Sequence, residues 1–75
     1  MIKQNIKFLC ERQGLTYREL AIRTWIPYGT FKYRMAHEET FRIHELEGLA
    51  KVLGVSRKKL EFSKIVFWDE VDNND

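Results

Sequence analysis

The sequence predicts an all-α domain of five short helices followed by a short non-helical or strand-like C-terminal tail. Three observations carry that prediction. Apolar residues recur at helical spacing through most of the first 62 positions, and four Gly and one Pro divide the chain into short segments. A capping signature in the first third of the chain marks the start of one helix directly.

Taken in order, Ile2, Ile6, Leu9 and Cys10 fall at i, i+4, i+7 and i+8, a single stripe on a first helix. Gly14 stands where the end of that helix needs a positive φ. Thr16 and Glu19 match the T-x-x-E capping box, with Leu15 and Leu20 in the two positions of a hydrophobic staple. A second helix therefore spans about 16–25, with Leu20, Ala21 and Thr24 facing inward. Trp25-Ile26-Pro27 interrupts it, because Pro spoils a helix interior and suits a first turn. The third helix runs over about 28–36, with Phe31 and Met35 four apart, and 37–41 is a polar loop. Ile43, Leu46, Leu49, Ala50 and Leu53 give a fourth amphipathic helix closed by Gly54, with Val55 placed for a Schellman contact. Ser56 caps a short fifth helix reaching about Phe62. The domain is thus 1–62, and 63–75 is a tail that is first apolar and β-prone (Ile65-Val66-Phe67-Trp68) and then acidic.

Charge is segregated along the chain. Twelve Lys and Arg against seven Asp and Glu give residues 1–62 a net +5, whereas residues 63–75 carry −3. A basic body points to a polyanionic partner. Other classes are excluded by what is missing. Cys10 is the single cysteine, so no intrachain disulfide forms and no zinc-ligand spacing exists; Cys10 reads as a small core residue, and His37 and His44 as surface histidines. No metal or cofactor is expected. No 18-residue apolar run or signal peptide is present, which predicts a cytoplasmic protein with no membrane partner. Without paired carboxylates, a Ser-His-Asp set or a Gly-rich phosphate loop, the chain reads as a binding protein with no small-molecule substrate, and not as an enzyme.

Two short helices joined by a tight turn, the second preceded by a breaker, have the geometry of a DNA-binding helix-turn-helix. The stretch Leu15-Thr16-Tyr17-Arg18-Glu19-Leu20-Ala21, then Ile26, Thr30 and Phe31, then Leu49-Ala50-Lys51-Val52-Leu53-Gly54-Val55-Ser56, resembles the lambda repressor-like, Cro-type (XRE) regulators of phages and bacteria. The resemblance covers roughly residues 2–62. It implies a five-helix lambda repressor-like domain in a bacterial host cell, reading double-stranded operator DNA with its third helix and commonly acting as a homodimer. It also implies a small phage-type transcriptional regulator within a lysis–lysogeny switch.

Carried over position by position, the resemblance makes Tyr28, Gly29, Lys32 and Tyr33 base-facing and Tyr17, Arg18, Arg34 and Arg42 phosphate-facing. The chemistry suits these roles: Lys reaches guanine O6 and N7, Tyr hydroxyls bond phosphate, and helix N-termini favour anions. Three departures from the family pattern carry expectations of their own. Trp25 replaces the usual turn glycine, so either the turn is altered or the indole packs as a wedge into the core. The reading face has Tyr where Gln is common, and Tyr with Arg is the composition of protein hot spots; the alternative function is therefore an antirepressor that seizes a partner repressor's DNA-binding domain. Cys10 and Met35 stand where relatives hold a partly buried Arg–Glu pair, which predicts that both are buried together.

Two further segments are candidate partner or dimer contacts. Arg57, Lys58 and Lys59 put three cations in a helix's first turn, where the dipole disfavours each by about 0.3–1 kcal/mol; they form either a solvated face or a contact with an acidic surface or phosphate. Ile65, Phe67 and Trp68 are too apolar for an idle tail. They either fold over the core, pair strands in a dimer or capture another protein.

Overall fold

A computed structural model of the protein describes residues 1–65 and is all-helical over that span. Five α-helices run in the order α1 (Ile2–Gln13), α2 (Tyr17–Thr24), α3 (Tyr28–Ala36), α4 (Ile43–Leu53) and α5 (Arg57–Phe62), with a 3-10 turn at Glu38–Thr40 between α3 and α4. That turn replaces the expected irregular loop; the Thr40 amide and hydroxyl both donate to the His37 carbonyl, which closes it. Helix α4 packs on α5, α2 and α1, α1 packs on α5, and α2 packs on α3.

The local signals act as their chemistry dictates. The Thr16 hydroxyl accepts from the Glu19 amide at 3.0 Å, and the Glu19 carboxylate accepts from the Thr16 amide at 2.9 Å. Ser56 Oγ accepts from the Lys59 amide at 3.0 Å. Helices α1, α2 and α4 end alike, each with a left-handed residue and an amide that reaches back five positions: Leu15 to Cys10, Ile26 to Ala21 and Val55 to Ala50. At α1 and α4 the left-handed residue is Gly14 or Gly54. At α2 it is Trp25, at φ 62°, which costs an L-residue roughly 1–2 kcal/mol. The turn is therefore not altered, and Trp25 is no wedge. Its side chain is 93% exposed, because the left-handed backbone directs it away from the helix pair.

The core runs through all five helices, with Ile6, Leu9, Leu20, Phe31, Leu49 and Leu60 essentially inaccessible. Cys10 and Met35 are both buried in it, as the pattern predicts. Burial raises the Cys10 thiol to about 11, helped by the Glu11 charge. Ile43 departs from its expected inward stripe and is exposed; at the first position of α4 it projects before the helix meets the core, and Glu45 is buried instead.

One polar residue organises the end of the domain. Asn5, on α1 beside the apolar stripe, is 1% exposed. Its amide nitrogen donates to the carbonyls of Leu60 (2.8 Å) and Ser63 (2.6 Å), and its Oδ1 accepts from the Ile65 amide at 2.9 Å. Ile65 is buried in the core. Residues 63–65 thus belong to the folded body and not to a separate tail, which moves the expected division at 62. Ile65 faces the domain's own interior and is unavailable for the expected partner or dimer contact. No strand occurs among the described residues; the expectations for Phe67 and Trp68 lie outside them.

Candidate nucleic-acid interface

The exposed side of α3 is built from two rows four residues apart. Tyr28 and Lys32 form one row, and Gly29, Tyr33 and His37 the other. Lys32 and Gly29 are exposed, Tyr33 is 54% exposed, and Tyr28 is half-buried against the core. The Tyr33 ring lies on the His37 imidazole at 4.6 Å. A β-carbon added to Gly29 would meet nothing within 4 Å, so this face is open at the helix's first turn.

Tyr28 joins the two helices electrostatically. The Arg18 guanidinium of α2 lies 4.2 Å from the Tyr28 ring centre, and the Lys32 ammonium of α3 lies 5.4 Å from it. The two cations are therefore within about 10 Å of each other, comparable to the screening length of about 8 Å in physiological salt. Neither has a carboxylate partner among the described residues. An aromatic platform thus holds two like charges together at the joint N-terminal ends of α2 and α3, where amide dipoles also favour an anion.

The other sequence-derived positions divide. Tyr17 is half-buried, its ring edge-on to Phe31 at 5.7 Å. Burial first, then the neighbouring Cys10 and Glu11, raise its phenol above the ordinary value. Arg42 is exposed at the N-cap of α4, and its amide donates to Glu45. Arg34 departs from the expected phosphate-facing role. Its Nε and Nη2 donate to the two Glu45 carboxylate oxygens at 3.0 and 3.3 Å, and its side chain is only 16% exposed. Burial pushes the Glu45 carboxyl up, but the Arg42 amide and the Arg34 guanidinium outweigh it, and the group sits below its usual value.

Sequence reasoning missed this bidentate pair, which fastens the end of α3 to the start of α4. It also missed Glu38, whose carboxylate accepts from the Met1 ammonium at 2.8 Å and the Lys3 amide at 3.2 Å. Those bonds cap α1 from the far side of the chain and lower the Glu38 carboxyl. A signal existed for Glu45 alone: three residues after Arg42 at a helix start, it is where a carboxylate reaches back to the N-cap amide.

The three cations at the start of α5 do not join the α2–α3 surface. Arg57 is held by Glu61 one turn on and lies 4.0 Å from Glu47, so carboxylates offset the unfavourable dipole at that helix start. Lys58 is exposed, and Lys59 is partly covered. No described helix is long and apolar enough to cross a membrane. Among the described residues no three His, Cys, Asp or Glu come together as a metal site. The chain matches no model of a protein family, no curated protein and no solved structure.

Proposed function

We propose that this chain is a lambda repressor-like helix-turn-helix regulator of the Cro type, which binds operator DNA through α3 and controls a phage or prophage genetic switch. One observation carries the reading: Arg18 and Lys32, from consecutive helices, converge on Tyr28 with no carboxylate among the described residues to neutralise them. Exposed like charges held side by side favour a ligand that supplies negative charge, and a phosphate backbone does so along its length. In this reading Arg18 holds phosphate at the start of α2. Lys32 then reaches from the Tyr28 platform to phosphate or guanine, and Gly29 lets the α3 backbone approach base edges without a side chain between.

An electrophoretic shift titration with duplex DNA at several salt concentrations tests this. Binding should weaken steeply with salt, and Arg18→Ala and Lys32→Ala should each lower the slope by about one released counterion. Retention of no duplex at low salt refutes the reading.

A second reading, an antirepressor that grips a partner repressor, draws on the exposed Tyr33 of α3. It requires that Tyr33→Ala abolish a repressor complex while leaving any duplex binding by Arg18 and Lys32 in place.

A further inference from the structure

Trp25 combines strain with exposure. Its left-handed backbone reproduces the closure that glycine provides at Gly14 and Gly54, yet the indole is 93% exposed and rests on almost nothing. Packing within the chain therefore gives no return for a tryptophan at this position. Nor does it stand alone. Arg18 and Ile22 fall at i and i+4 on α2, Ile22 is 70% exposed, and Trp25 follows directly as the cap one residue past the helix end. This stripe begins at the guanidinium that stacks on Tyr28 and ends at the turn into α3, with Arg23 exposed beside it. It carries two exposed apolar side chains with Arg18 at one end and Arg23 alongside, and it adjoins the Arg18–Tyr28–Lys32 cluster. A ligand that suits it is anionic along an edge and apolar between its charges, as the sugar–phosphate edge of a duplex is, with deoxyribose carbons between successive phosphates.

We infer that Ile22 and Trp25 extend the DNA interface along α2, with the Trp25 indole packed against the sugar–phosphate edge of the duplex that α3 enters. The inference rests on the DNA reading proposed above. It identifies a contact that positions the protein on the duplex without reading sequence, and it explains why the turn holds tryptophan in a conformation suited to glycine.

The test compares the full-length chain with Trp25→Gly and Trp25→Ala. Affinity for a short mixed-sequence DNA duplex is measured by fluorescence anisotropy at several salt concentrations, and melting temperature by circular dichroism. Trp25→Gly should melt higher than the parent and bind roughly tenfold more weakly, the scale of losing one aromatic contact to nucleic acid. The slope of log affinity against log salt should stay the same, because the phosphates neutralised are unchanged. Trp25→Ala should lose affinity similarly without the gain in melting temperature. A purely structural tryptophan gives the reverse signs, a lower melting temperature with affinity intact, and that result overturns the inference. Equal affinities for all three chains overturn the contact and leave the DNA reading standing, whereas a parent chain that binds no duplex removes both. Self-association lost in the variants with unchanged duplex affinity assigns the stripe to a second copy and also overturns it.

Discussion

Replacing Asn5 by Leu removes a residue that makes no contact with the candidate interface and yet holds the end of the domain. Leucine shares asparagine's branched skeleton but is bulkier, so some overpacking accompanies the loss of three hydrogen bonds. The Leu60 carbonyl and the Ile65 amide lose partners in buried surroundings, and the Ser63 carbonyl in a partly buried one. A buried backbone group left unsatisfied costs about 1–3 kcal/mol, so two such groups and a third that water partly reaches amount to about 3 kcal/mol. A folded body of this size is stable by roughly 3–10 kcal/mol, and the melting temperature should fall by roughly 12–24 °C. Urea and thermal unfolding followed by far-ultraviolet circular dichroism measure both quantities. Asn5→Asp sharpens the test, since it keeps an acceptor for Ile65 but sets a carboxylate against two carbonyls at neutral pH. Protonation supplies one donor, so its deficit relative to the parent should narrow in acid. A loss below about 1 kcal/mol for Asn5→Leu, or an Asn5→Asp deficit indifferent to pH, would show that water replaces the clamp and would refute the reasoning.

Three other outcomes follow from the same geometry. Arg34→Met alone strands the buried Glu45 carboxylate and should cost about 3 kcal/mol, whereas Arg34→Met with Glu45→Gln should recover much of it because the Arg42 amide keeps its acceptor; chemical denaturation of the two variants decides. Gly29→Ala meets no obstruction and should raise stability by about 0.5–1 kcal/mol while weakening duplex binding, read by melting and by gel shift. The carboxyls of Glu45 and Glu38 are lowered in the folded chain, so their contribution is complete above the unfolded carboxylate value near about 4.3. It is lost as pH falls through the folded values, and Glu45→Gln should flatten the acid limb of a melting-temperature profile.

What could be read from the sequence was local. The Thr16–Glu19 box, the Gly14 and Gly54 closures and the Ser56 cap each join residues at most five apart, so the chain itself fixes their geometry. The reading of α3 over 28–36 followed from the Pro27 break and the spacing of Phe31 and Met35, and the joint burial of Cys10 and Met35 from the family resemblance. The contacts that escaped join distant positions: Asn5 reaches across 55 to 60 residues, Glu38 across 35 to 37, and Arg34 reaches Glu45 in the next helix. Nothing in composition selects such partners, because they depend on which helix ends meet. The same limit explains Arg34, whose charge reads as a phosphate contact until the approach of α4 brings Glu45 to it. Trp25 was misjudged for another reason: apolarity suggested burial, and the backbone's left-handed turn overrode it.

The depth of Ile65 bears on how this protein is cut for experiment. A fragment ending at Phe62 would retain all five helical segments and would look complete by secondary-structure content. It would nevertheless leave an isoleucine-sized void against α1 and an amide side chain with two of its three partners gone. Helicity is therefore a poor guide to where the cooperative unit ends. Any truncation meant to isolate the acidic residues should keep the chain through position 65, and a shorter one that melts poorly says nothing about what those residues do.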